Sequence, residues 1–467
     1  MSYSNSSSSS SSSSQDGNGG NDGAGPSSSS ISRRGYFEGP SSSSSASRTR
    51  LDVLMNEVLP EPFLEALAAQ VAIDASLSIG RLAAAPALAN VFQVCSTWRA
   101  VSRSDLLWHR LTRRIWRRTH LLRDTWNDEY IYWHRTAINF RTRRSTYTNL
   151  RFDSYGVDND PDTLVCRCLT LSDLHLACGF ADGTVRLFSL DTHLHVNTFQ
   201  TYHFTQLGRF SRAVSGIVMT NSRLVFGTVD GDIYVAMLNG PPAHPRRACT
   251  GDVVTNGALV DFTGCGRWWV GLFAGVPGRT FHIWDAHTEE CIFVGGTLTD
   301  PEAIMGWHML TGLTEFLGRV RVLSRESAVA CTSLRFIAFD LRNQGLVLRE
   351  EESRRGLIVT SLDVSSEAYI LTDARGVATV RRVGTFEEIC RFTLRGASQR
   401  RVIGCINLGY TLMCAGGVIS VWEVEHGEYL YSLRERIDEV NAMVTNDRHV
   451  AISCSDTTIH LWDFGAQ

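Results

Sequence analysis

Across residues 146–467 the apolar positions fall in short runs, broken by Gly- and Asp-containing turns. "LHLACGFADGTVRLFSLD", "SRLVFGTVDGDIYVAML", "RWWVGLFAGVPGRTFHIWDAH", "SAVACTSLRFIAFDLRN", "AYILTDARGVATVRRV", "YTLMCAGGVISVWEVEHG" and "RHVAISCSDTTIHLWDFG" repeat one grammar. Each has an apolar strand with small residues, a tight turn, and a second strand that often ends on an aromatic–acidic pair. Asp182-Gly183 and Asp230-Gly231 mark hairpin turns, because glycine accepts the positive φ that such turns need. The units recur about every 40 to 55 residues, the spacing of propeller repeats. Seven of them predict a seven-bladed β-propeller with one four-stranded sheet per blade. The last unit runs out at "HLWDFG" without an outer strand, so "STYTNLRFDS" (145–154) is expected to supply it.

Upstream, from Leu51 to about Arg144, the period is helical. "PEPFLEALAAQVAI" puts Phe63, Leu64, Leu67 and Val71 on one helix face, with Pro62 in the first turn. Pro86 opens a second helix carrying Leu88, Val91, Phe92 and Cys95 at helical spacing. Ser104 is placed to cap "DLLWHRLTRRIW". Residues 1–50 are Ser, Gly, Asn and Asp with few apolar positions, a composition that cannot offset its ordering entropy. The reading is mainly β: a disordered tail (1–50), a small all-α module (51–118), an Arg-rich helical linker (119–145) and the propeller (146–467).

Composition narrows the chemistry. The chain's 45 basic residues are all arginine, so there is no ε-amine. That excludes a phosphate-loop lysine, Schiff-base chemistry and kinase chemistry. The formal charge is only −3, but residues 99–144 hold twelve arginines against four acids. Twelve cysteines are scattered without zinc-site spacing, which favours a reducing compartment, cytosol or nucleus. The apolar stretch from Leu64 to Phe92 is interrupted by Gln70, Asp74 and Arg81 and is not expected to span a bilayer. Histidines such as His282 and His460 stand alone, and no catalytic constellation, metal set or cofactor motif emerges. The chain reads as a binding protein.

"LPEPFLEALA" followed by "VFQVCSTWRAVSRSDLLWHRL" resembles the F-box, a small helical module that docks on a Skp-family adaptor and thereby joins a cullin ligase core. The matching positions are Leu59, Pro60, Val94, Cys95, Trp98, Arg99, Leu107 and Trp108, with Leu64 and Leu67 on the first helix. A module this small has too little interior to hide all its apolar residues, and an exposed apolar patch marks an interaction site. The alternative is a helical cap on the propeller, with Trp98 and Trp108 packed inward. One departure is "QVAIDASLSIGRLAA", longer than the usual link to the second helix.

The serine-rich tail, "ALVDFTGCGRWWVGLFAGVPGR", "GGTLTDPEA" and "HLWDFG" together are similar to the plant Sterile Apetala family. That resemblance implies a nuclear regulator of flower and organ development. It also implies a ligase substrate receptor directed at PEAPOD-type transcriptional repressors.

Loops entering the innermost strands surround a propeller's mouth, and function concentrates on such loops. Three of them carry arginine pairs: Arg209 and Arg212, Arg354 and Arg355, and Arg400 and Arg401. An Arg-lined mouth suits an acidic or phosphorylated degron through bidentate hydrogen bonds; the alternative is ordinary solvated loop arginine. Trp268 and Trp269 must face opposite sides of their strand, one into the core, the other into inter-blade packing or outward as an anchor. The expected partners are the adaptor, the cullin core and a protein substrate, without membrane. Nucleic-acid binding by the Arg-rich helices and a scaffold without a ligase are the competing readings, the first disfavoured.

Overall fold

Each repeat unit folds into an antiparallel four-stranded sheet, and seven such sheets form the propeller. The computed structural model describes residues 60–151, 164–201, 209–239, 244–296, 319–323, 326–331, 335–352, 359–394, 402–455 and 458–466. The Ser-rich tail and Leu59 lie outside these residues. Blades 1 to 6 span 166–199, 214–249, 258–295, 319–352, 359–393 and 402–432; blade 7 takes 440–463. Inner strands of successive blades touch all the way round, and blade 7 meets blade 1.

The ring closes with a borrowed strand. Thr146–Leu150 pairs antiparallel with Ile459–Asp463, with Tyr147 opposite Trp462, and so forms the outer edge of blade 7. Residues from the two ends of this fold therefore share one sheet, as the missing outer strand predicts.

Aromatic–acidic pairs end the third strands of blades 3, 4, 6 and 7 (Trp284-Asp285, Phe339-Asp340, Trp422-Glu423, Trp462-Asp463). Asp285 shows why an acid belongs there. Its Oδ1 accepts from the backbone N–H of His287 (2.8 Å) and Thr288 (3.2 Å), satisfying the turn to the outer strand. The aromatics fill the spaces between blades. Trp269 packs with Val218, Val225 and Val235 of blade 2. Trp268, pointing the other way, packs with Val320, Ala328 and Phe339 of blade 4.

Among the described residues five helices precede the ring: α1 (Glu61–Ser78), α2 (Ala84–Phe92), α3 (Ser96–Val101), α4 (Asp105–Ile115) and α5 (Trp126–Thr142). The Ser104 hydroxyl caps α4 by accepting from the Leu107 N–H at 3.4 Å, and Thr125 caps α5 by accepting from the Asp128 N–H at 3.1 Å. Between these helices, Glu129 is fully buried. Its carboxylate accepts from Leu122 N, Arg123 N and Trp133 Nε1, three donors that offset its desolvation. From Pro60 onward helices and propeller form one compact unit.

Candidate interaction surfaces

The helices sit on one face of the ring. Arg118 Nη1 bonds Asp173 Oδ1 (2.9 Å), its Nη2 reaches Asp447 Oδ2 at 3.5 Å, and its guanidinium lies 3.7 Å over the Trp133 ring. Arg117 pairs with Glu367, and the Tyr410 hydroxyl donates to the Ala137 carbonyl at 2.7 Å. Asp173, Glu367, Tyr410 and Asp447 belong to blades 1, 5, 6 and 7, and each lies where an inner strand turns into the second strand. All such turns share one face of a propeller. The loops that enter the inner strands occupy the other.

The long link that sets this module apart from the F-box pattern makes part of that seam. It continues α1 to Ser78, turns at Gly80 (φ +121°), and passes through a 3-10 turn at Arg81–Ala83. Arg81 N donates to Glu425 Oε1 at 3.4 Å. A cavity of about 240 Å³ remains here, lined by Ile79, Arg81, Trp116, Ala137, Tyr410 and Glu425 among others. Burial raises the Glu425 carboxyl above the usual carboxylate range, against the opposing pull of Arg81.

The module's interior splits the expected helix face, taking Leu64 inward and leaving Phe63, Leu67 and Val71 outside. On α1 the buried side is Leu64 with Ala68, Ala69 and Ala72, small side chains that let helices approach closely. Phe63, Leu67 and Val71 are 51%, 41% and 37% exposed. Their spacing of four residues puts them on one outward stripe. Leu64, Leu107 and Trp108 are buried, so in the free chain they hold the module together and offer no outward surface. The Trp108 ring packs on Phe92 and Tyr130 and donates its Nε1–H to the Ser102 carbonyl at 2.7 Å. Pro60, Val94, Cys95 and Arg99 are exposed, while Trp98 is half-buried. Leu106, which pattern matching passed over in favour of its neighbour, is 66% exposed. Its signal was available in the helical period: Leu106, Arg110 and Arg113 fall on one face of α4, opposite Trp108, Leu111, Thr112 and Ile115.

On the opposite face, Arg209–Arg212 form a 3-10 turn before the blade 2 inner strand. Arg212 is half-buried; its carbonyl lies against the tight turn at Gly183, which has φ +86°. Arg354, Arg355, Arg400 and Arg401 lie outside the described residues. Trp268 is only 4% exposed, so it serves blade packing and is no anchor at the mouth. Arg267 covers its ring at 4.9 Å.

Inside the ring lies a polar chain that the sequence did not flag. Asp261 Oδ2 accepts from Val320 N (2.9 Å) and from Arg321 Nη1 (2.8 Å), bridging blades 3 and 4. Asp363 Oδ2 accepts from Ile406 N at 2.9 Å, bridging blades 5 and 6. Burial raises the Asp363 carboxyl to about 6, outweighing the attraction of Arg321.

No family model matches the chain. It is 63% identical over 437 residues to the protein named Transcriptional regulator STERILE APETALA of Arabidopsis thaliana, an alignment covering 92% of this chain and 96% of that protein. The chain belongs to the Sterile Apetala family.

In this family member no described helix is long and apolar enough to cross a membrane. All twelve cysteines are free thiols. Burial pushes those of Cys331, Cys390 and Cys414 up to about 12, which keeps them protonated and unreactive. Glu423, Glu425 and His426 form one cluster of possible metal ligands. Its acids are already engaged: Glu423 with Arg141 (3.4 Å) and His426 (2.9 Å), and Glu425 with the Arg81 backbone.

Proposed function

We propose that this Sterile Apetala family protein is the substrate receptor of a Skp–cullin–F-box ubiquitin ligase. The helices seat a Skp-family adaptor, and the far mouth of the propeller holds a protein substrate, by resemblance a PEAPOD-type transcriptional repressor. The chain itself contributes no catalytic group; the ligase partners carry ubiquitin. Its place of action is the nucleus, and its outcome is control of flower development and organ size. The name of the Arabidopsis relative, a transcriptional regulator, accords with that outcome.

The observation that carries this reading is the outward apolar set Phe63, Leu67, Val94 and Leu106 on a helical module pinned to the ring. Leaving such side chains in water is unfavourable unless a partner covers them. Arg99, Arg110, Arg113 and Arg114 are exposed on the same helical module, so the complementary surface is an apolar groove with an acidic rim. The two faces also separate the tasks: an adaptor on the helical side leaves the opposite mouth open to cargo.

The test is capture of a purified Skp-family adaptor by the full chain. Hot-spot truncations at interfaces cost about 2 kcal/mol or more, so Val94→Asp and Leu106→Asp should each weaken capture by roughly 30-fold or more with unchanged melting. A native chain that never retains the adaptor, or capture indifferent to both changes, refutes the receptor reading.

A further inference from the structure

The structure separates arginines that the fold needs from arginines that it does not. Arg448 grips both oxygens of Asp463 through Nε (2.9 Å) and Nη2 (2.7 Å). Arg279 reaches Asn256 Oδ1 through Nε (3.1 Å) and Nη2 (2.8 Å). Arg118 spans two acids while stacked on Trp133. A lysine has neither the fork nor the planar face for these tasks. By contrast, Arg99, Arg103, Arg113, Arg114, Arg135 and Arg434 are exposed and make no ion pair among the described residues. At such positions a solvated ammonium serves the fold equally well. Lysine is ordinarily among the commonest residues, yet none of the 467 positions carries it. Folding does not require that exclusion.

We infer that the lysine-free surface spares this receptor from ubiquitination within its own ligase. The inference rests on the receptor reading above. Ubiquitin arrives as a thioester between its C-terminal carboxyl group and a cysteine of the conjugating enzyme. A neutral amine attacks the thioester carbonyl, the C–N bond forms, the C–S bond breaks, and the amine's surplus proton leaves with the thiolate or to solvent. An arginine guanidinium stays protonated, its nitrogen lone pairs delocalised, and cannot make that attack. Hydroxyls and the exposed thiols of Cys95 and Cys291 yield only esters and thioesters, which hydroxylamine cleaves. A receptor tethered beside an activated ubiquitin is the acceptor at highest effective concentration. Without ε-amines it passes that ubiquitin on to cargo.

The experiment reconstitutes the full chain with a Skp-family adaptor, a cullin core, activating and conjugating enzymes, ubiquitin and ATP. The native chain is compared with a variant carrying Arg135→Lys, Arg375→Lys and Arg434→Lys, three exposed and charge-conserving changes outside the proposed adaptor surface. Adaptor co-elution and discharge of charged conjugating enzyme onto free lysine report assembly and activity independently of self-modification. With both intact, the variant should acquire hydroxylamine-resistant ubiquitin at least tenfold faster than the native chain. Equal rates, both high or both low, in an active assembly overturn the inference and leave the receptor reading standing. A chain that captures no adaptor overturns both.

Discussion

Phe140, near the end of α5, stacks on Phe464, just past the last propeller strand, with ring centroids 3.9 Å apart and planes 15° from parallel. Tyr410 also stacks on Phe140, with centroids 5.2 Å apart, and Asn139 Nδ2 donates to the Phe464 carbonyl at 2.9 Å. This stack fastens the helical module to blades 6 and 7. Phe140→Ala removes a fully buried ring and should cost about 3–5 kcal/mol. Thermal melting together with limited proteolysis checks this: cleavage between α5 and the ring should become fast. A variant that melts like the native chain would show that the stack is dispensable.

Gly80 is required by its backbone conformation, and the Glu425 carboxylate crowds the same spot. Its φ is +121°, and a Cβ there would meet Glu425 Oε2. Gly80→Ala should destabilise by about 1–3 kcal/mol from backbone strain alone, with the clash added. Adding Glu425→Ala should recover the clash part and leave the strain. Non-additivity in the double-mutant cycle is the expected result; strict additivity would mean that the two residues do not meet.

The Asp363 carboxyl titrates near 6 when folded and near 3.9 when unfolded. Between those values the folded chain binds the extra proton, so this group favours folding below about pH 4 and loses that contribution as pH rises through about 6. Asp363→Asn keeps an acceptor for Ile406 N and removes the charge. Its melting temperature relative to the native chain should climb from pH 4 to pH 7. A difference that stays flat across that range refutes the assignment.

Leu106 and Leu107 are adjacent in sequence and opposite in role, at 66% and 2% exposure. Leu107→Ala should cost about 2–5 kcal/mol of stability. Leu106→Ala should leave stability within about 0.5 kcal/mol while weakening adaptor capture. Melting and capture measured on both variants separate the two roles, and a Leu106→Ala chain that binds normally counts against the outward face.

Most of the ring was legible because its signals are local. Alternating strands, Asp-Gly turns and acids after the third strands each act within a few residues, so the seven units and the Ser104 cap could be read directly. The borrowed strand followed from counting: a four-stranded blade with three strands in hand needs Thr146–Leu150. Periodicity groups Leu64 with Phe63, Leu67 and Val71 without saying which of them a neighbour covers; Leu64 is buried and the other three are exposed. Alanines make the closer contact, and size alone points the wrong way.

The sequence by itself determined the repeat, the helical module and the absence of lysine, since composition and short-range spacing carry them. Only the tertiary structure decided that the long link after α1 grips blade 6, that Trp268 serves the blades, and that the helices and the loop mouth lie on opposite faces. Those outcomes depend on contacts such as Arg81 with Glu425, 344 positions apart. No local propensity encodes a partner at that distance; closing the ring creates it.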